Sequence, residues 1–261
     1  KGYANYDWTK KYNDDTKKGL EILNKIDSLD LSNNALLRVP QEIVECPNLR
    51  HIDLLYNNDM DWDTTFAEIA KTGINSVYVS VNDLSDINSD YWHLITGIEI
   101  LQDQLTEIPE NILQQKQLTY LDLSADYFIE NNFSPLPPKL FELTNLNYLN
   151  LERCQIENLP PEIWNLINLT ELNLGRNELS SLPPEIGNLT NLTILNLVGT
   201  QLTSLPPEIG NLTNLTGLGL SFNKLSSLPP EIGNLTNLTG LGLRQNKLSS
   251  LPPEIENLTH L

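Results

Sequence analysis

Leucine, isoleucine and asparagine recur along this chain at a fixed interval, not in long helical or extended runs. Asn168, Asn191, Asn214 and Asn237 each open a segment of the form NLTxLxLxxNxLSSLPPEIGNLT, and the starts lie 23 residues apart. Asn145 opens a weaker copy, and Gln117 opens a longer one in which residues 127–135 (YFIENNFSP) carry about five extra residues. Leu94, Gly73, Asn48 and Lys25 open degenerate copies. The total is about ten units over residues 25–259, irregular over 48–93 and long over 117–144. Within each unit an L-x-L alternation, such as Leu172-Asn173-Leu174, predicts a short strand with two inward side chains and one outward. The alternation breaks at Asn177, where the backbone turns into the core and leaves amides unpaired. An asparagine side chain can both donate to and accept from them. In register this predicts a ladder of Asn34, Asn57, Asn82, Asp103, Asp126, Cys154, Asn177, Thr200, Asn223 and Asn246. The following Pro-Pro-Glu-Ile suits the first turn of a helix or 3₁₀ segment. The Gly-Asn after it, as in Gly187-Asn188, suits a left-handed end. One unit has an apolar face with nothing against it, so stability must come from stacking neighbours.

A period of about 20–29 residues with an L-x-x-L-x-L-x-x-N-x-L core resembles the leucine-rich repeat family. The resemblance covers about nine tenths of the chain. Leu-Pro-Pro-Glu-Ile at this period is similar to the bacterial-type subclass, also found in Ras-signalling-associated and multidomain GTPase proteins. The resemblance implies an α/β fold: a solenoid curved into a right-handed horseshoe, with a parallel β-sheet on the concave face. Short helical or 3₁₀ segments would cover the convex face. Trp8 and Tyr12, four apart, and Leu20 and Leu23, three apart, predict an N-terminal helical cap over residues 1–24. His260-Leu261 start a further repeat in phase, which implies that the natural protein continues. An uncapped apolar end there would favour self-association.

Charge narrows the partners. Sixteen basic residues against 34 acidic ones give a net charge of −18. A chain this acidic repels nucleic-acid phosphates and anionic lipid. A hydrophobic share of 39% is too high for a disordered acidic chain. No apolar run approaches the roughly 18 residues of a membrane helix, so membrane insertion is not expected. Cys46 and Cys154 are far apart and exclude a disulfide framework; their registers, core and ladder, read as structural thiols. Unpaired thiols favour a reducing cytoplasm, although a bacterial exterior would look alike.

Candidate chemistry is sparse. P-loop, zinc-protease, redox and nucleophile-elbow motifs are missing from the sequence, and His51, His93 and His260 fall in separate units. The chain is therefore read as non-enzymatic, with no cofactor. The resemblance places ligands on the concave sheet. The outward x of L-x-L runs Asp30, Asp53, Tyr78, Glu99, Asp122, Asn150, Asn173, Asn196, Gly219 and Gly242. Neighbouring columns add His51, Tyr56, Tyr120, Tyr148, Glu152, Arg153, Arg176, Phe222 and Arg244. Tyrosines beside carboxylates on a rigid scaffold point to a protein-binding patch for a basic partner. The bland alternative is that strands favour Tyr and solvent positions favour Asp. Asn57, Asp59, Asp61, Asp63, Thr65 and Glu68 have the oxygen spacing of a calcium loop. Trp62 replaces its glycine, and an acidic loop leading into a helix Phe66–Ile69 explains the run as well. Eight Asn-Leu-Thr triplets read either as glycosylation acceptors or as one copied consensus. A macromolecular-interaction module is the expected function. The alternatives are a regulatory segment of a GTPase, kinase or ligase, and a bacterial surface adhesin or receptor-binding protein.

Overall fold

The computed structural model describes residues 25–40, 43, 46–81, 87–101, 104–125 and 130–261. The cap expected over 1–24 and the ladder positions Asn82, Asp103 and Asp126 lie outside the described residues. The chain divides into two compact units, residues 1–99 and 100–261. Each is a solenoid stack of parallel strands taken in chain order, one strand per repeat.

The first unit contains β1 (Ser28–Asp30), β2 (His51–Asp53), β3 (Ser76–Val81) and all but the last residue of β4 (Ile95–Ile100). Leu29 pairs with Ile52 and Ile52 with Val77, so the inward column is continuous. Helix α1 (Trp62–Ile69) lies between β2 and β3 in the chain and buries one face. It starts four residues before the expected Phe66–Ile69 because Asp61 caps it, accepting the Thr64 N–H at 3.1 Å. Trp62, Thr65, Phe66 and Ile69 form its buried face, the spacing of one helix stripe. The Phe66 ring lies 5.7 Å from Trp62 and stacks 5.5 Å from Tyr91 at 15°.

The second unit contains α2 (Glu110–Leu113) and the strands β5 (Tyr120–Asp122), β6 (Tyr148–Asn150), β7 (Glu171–Asn173), β8 (Ile194–Asn196), β9 (Gly217–Gly219) and β10 (Gly240–Gly242). Leu121, Leu149, Leu172, Leu195 and Leu218 pair in register and are buried. The Pro-Pro segments form 3₁₀ helices, Pro161–Asn165, Pro184–Asn188, Pro207–Asn211 and Pro230–Asn234 among them, each with its second proline in the first turn. The glycine that follows does not take the expected left-handed conformation; Leu189 closes the turn at φ −82°, ψ 52°. Glycine is needed there for close approach. A Cβ on Gly210 would sit 2.6 Å from the Glu231 carbonyl oxygen, and one on Gly233 would sit 2.5 Å from that of Glu254. Earlier repeats place Phe141 and Trp164 at this position, both buried.

The repeated polar letters bind neighbour to neighbour. Asn177 Oδ1 accepts from the Cys154 and Ile156 N–H groups at 3.1 and 2.9 Å, and its Nδ2 donates to Leu151 and Leu174 carbonyls at 2.8 and 2.9 Å. Asn57 does the same in the first unit, donating to Leu31 and Leu54 and accepting from Leu36. In the long repeat Asn131 makes the bonds of a rung. Its Oδ1 accepts from Leu105 at 2.8 Å and its Nδ2 donates to Leu123 at 3.1 Å. The five extra residues therefore fall before the rung and displace it. A second ladder runs through Asn168, Asn191, Asn214 and Asn237, whose Nδ2 atoms donate to carbonyls of the preceding repeat at 2.8–2.9 Å. Thr170, Thr193, Thr216 and Thr239 form a third, their hydroxyls donating at 3.0–3.1 Å. In the four triplets that begin at Asn168, Asn191, Asn214 and Asn237, Asn-Leu-Thr is thus two inter-repeat bonds flanking a buried leucine.

Candidate functional site

The outward face is built from short strands whose ends are fixed by their own side chains. Asp30, Asp53, Asp122, Asn150, Asn173 and Asn196 each accept the main-chain N–H two residues on, at 2.9–3.0 Å. Such Asx turns end the strand and start the inward bend. The acidic column therefore has a structural reason in every repeat where this bond forms.

In the first unit, Asp30 and Asp53 pair across β1 and β2, and Asp53 and Tyr78 across β2 and β3. His51 Nδ1 lies 2.7 Å from Ser76 Oγ, which lies 2.6 Å from Thr96 Oγ1. The His51 and Tyr78 rings meet edge to face at 4.7 Å and 82°. Tyr78 lies flat over Gly97, where an added Cβ would come within 2.3 Å of the ring. Burial pulls the His51 pKa down, opposed by the charges of Asp53 and Asp30. Burial also pushes the Asp53 carboxyl up, opposed by its bond from the Leu55 N–H. Tyr56 is 47% exposed. Its N–H donates to Ser80 Oγ at 2.9 Å, and the Ser80 hydroxyl donates to Glu99 Oε2. Glu99 is only 8% exposed, so it is a buried anchor for this turn and not the water-facing acid the register implied.

In the second unit, Tyr120 and Tyr148 stack at 4.3 Å and 8°. The Tyr148 hydroxyl donates to Asp122 Oδ2 at 3.3 Å, and Asn150 Nδ2 donates to the same oxygen at 2.9 Å. Asp122 is 5% exposed beneath these groups. Its register is outward as expected, but its neighbours cover it, so it cannot meet a partner directly. Burial, then the Asp122 charge, raises the Tyr148 hydroxyl well above its ordinary pKa. Glu152 bridges Arg176 Nε at 3.2 Å and accepts from Asn173 Nδ2 at 3.0 Å. Glu130, Arg153, Gln155, Arg176, Glu178 and Gln201 line a shallow cavity of about 280 Å³ beside this bridge.

Sequence reasoning missed the conformation of one column. Asn33, Tyr56, Arg153, Arg176, Phe222 and Gln245 all have φ between 54° and 60°, and Gly199 at the same register has φ 71°. The single glycine in that column is the letter that signals it. The calcium spacing does not converge on a site. Asn57 is a ladder rung, Asp61 caps α1, and Glu68 pairs with Lys71 at 2.7 Å, while Asp59 and Asp63 join no cluster. No group of three or more metal-ligating side chains occurs among the described residues. Cys46 is buried in the core, and the Cys154 thiol donates to the Leu123 carbonyl at 3.3 Å, with burial raising its pKa. No described helix is long and apolar enough to cross a membrane.

Comparison with known proteins agrees with this geometry. Family models described as a leucine-rich repeat region and a leucine-rich repeat match residues 137–221 and 214–235. A leucine-rich repeat protein of Leptospira interrogans superposes with a TM-score of 0.63 at 30% identity, over 94% of this chain and 61% of that one. This chain thus spans about three fifths of the Leptospira protein's length. The Arabidopsis receptor kinase HAESA, in complex with a peptide hormone and a co-receptor, gives 0.61 at 28% identity, over 90% of this chain and 37% of that one. An internalin of Listeria monocytogenes gives 0.59 at 23%, over 93% and 74%, a likeness of fold. No curated protein matches the sequence. With its strand register, its asparagine ladder and these matches, the chain belongs to the leucine-rich repeat family.

Proposed function

We propose that the chain is a non-catalytic module that binds a protein partner on its outward strand faces. The supporting observation is the chemistry these faces present. The Asx-turn oxygens, the ladder amides and Asp122 serve the chain's own backbone. His51, Tyr56 and Tyr78 in the first unit, and Tyr120, Tyr148, Glu152, Arg153 and Arg176 in the second, add rings and charges at the ends and outward positions of the strands. Their rings are held by strand pairing, by Gly97 or by a left-handed backbone, so little rotamer freedom is lost on binding. Asp30 and Asp53 add negative potential around the first group and, with the net charge of −18, favour a basic partner there. The complex of the similar receptor kinase with a peptide hormone supports a polypeptide ligand.

The test is capture of partners by the purified chain and by two double variants, Tyr56→Ala/Tyr78→Ala and Tyr120→Ala/Tyr148→Ala. One variant should lose affinity by about tenfold or more, as for buried aromatic anchors, with its melting temperature preserved. Unchanged capture by both would refute the reading.

A further inference from the structure

The late repeats carry a different surface. Between Leu189 and Ser250 the only carboxylates, Glu208 and Glu231, sit on the 3₁₀ helices, whereas Lys224, Arg244 and Lys247 all sit on the strand-and-turn side. In a chain of net charge −18 this face is locally cationic on the late-repeat side of Ile194, whose strand partner on β7 is Glu171. It is also apolar. Ile194 is 42% exposed and Phe222 54%. The Ile194 side chain lies 3.8 Å from where a Cβ on Gly217 would stand, and Val198 lies 3.1 Å from the equivalent point on Gly219. Both therefore lean over the backbone of β9. The Arg244 guanidinium carbon lies 5.8 Å from the centre of the Phe222 ring, at the border of this floor. Phe222 holds its exposed ring from a left-handed backbone at φ 60°, a conformation that a bulky residue adopts at a cost.

We infer that Ile194, Val198 and Phe222, rimmed by Arg244 and Lys224, form a docking surface for an acidic peptide segment. Apolar side chains of the segment lie on the floor and its carboxylates face the cations. Charge complementarity selects this occupant over a basic one. The apolar floor selects it over nucleic acid, which offers no apolar side chains to lie on it. The surface shares no residue with the tyrosine groups of the proposed function; it rests on that reading only in taking a polypeptide as the ligand.

The experiment is calorimetric titration of the full chain with two synthetic peptides, one alternating Glu with Leu and Phe, the other with Lys in place of Glu. The acidic peptide should bind and the Lys peptide should not. Phe222→Asn removes the ring but suits a left-handed backbone, so the fold should persist, checked by an unchanged or raised melting temperature. It should weaken the acidic peptide about tenfold. Arg244→Gln should weaken it a few fold, chiefly in association rate, and lessen its salt dependence. Lys71→Ala, at an exposed cation of the first unit outside both proposed surfaces, should bind it like the parent. Absence of binding, equal binding of both peptides, or binding that needs Arg244 but not Phe222 would overturn the inference, the last by revealing charge attraction alone. Unchanged capture by the tyrosine variants would instead sink the proposed function and leave this result standing.

Discussion

In residues 100–261 repeated glycines bring neighbouring 3₁₀ helices to backbone contact, whereas residues 1–99 use α1 and a cluster of three aromatic rings. The late repeats share the work among copies. Most of their leucines, prolines and asparagines have a like residue at the same place in the next repeat, and stability there approximates a sum of nearest-neighbour terms. The first unit has no such redundancy, because Trp62, Phe66 and Tyr91 each occur once. What differs is how local the damage from one lost side chain should be.

The largest expected effect follows. Phe66 is fully buried and contacts two rings, so Phe66→Ala should cost about 3–5 kcal/mol from lost burial and the cavity left behind. Amide exchange should accelerate in β2 and β3 while β7 to β9 keep their protection. Equal loss of protection in β8 and β9 would show that the two units do not unfold separately and would break the comparison.

The second effect lies in the regular repeats. Asn177→Ala removes the partner of two buried N–H groups and two carbonyls at once, for about 3 kcal/mol. Thr200→Ala, at a rung whose single hydroxyl proton lies between the Leu197 carbonyl and Asn223 Oδ1, should cost about 1 kcal/mol. Chemical denaturation of both variants measures the difference. Equal losses would mean that a hydroxyl serves the bend as well as an amide does.

Much of this was legible in the letters. The period fixed where strands and 3₁₀ turns fall, because leucine spacing and Pro-Pro act locally. The ladder read correctly at Asn57 and Asn177, where bonds run between equivalent positions of adjacent copies. At the long repeat the register pointed to Asp126, which lies outside the described residues; Asn131, five positions on and inside the insertion, makes rung bonds that the register did not anticipate. The site was legible as a face but not as an exposure. Asp122 and Glu99 have outward register, yet Tyr148 and Ser80 cover them, and alternation carries no information about what leans over a residue. Ile194 went unnoticed for the converse reason: the glycine beside it, in the next strand and not in the next sequence position, is what leaves it bare.

The smallest effect concerns charge in the first unit, where Asp53 and His51 should tilt stability in opposite directions. The Asp53 carboxyl is raised above its ordinary 3.8 by burial. The folded state then holds the proton more tightly, so this group lowers stability as pH rises from that ordinary value through the raised one. His51 is lowered from its ordinary 6.5, again chiefly by burial. The folded state resists its protonation, so stability is lost as pH falls below 6.5 toward the lowered value. Asp53→Asn keeps an acceptor for the Leu55 N–H and removes the charge. It should raise the melting temperature slightly at pH 7, with the gain vanishing in acid, where the parent carboxyl is already protonated. It should also remove a charge that favours protonated His51, so the acid-side loss still begins near the ordinary 6.5 but runs on to lower pH and grows larger. His51→Gln should abolish that loss. Thermal melts of the parent and both variants from pH 3 to 8 measure these tilts; a flat difference for Asp53→Asn across that range would mean that the carboxyl is as well solvated in the folded chain as in the unfolded one.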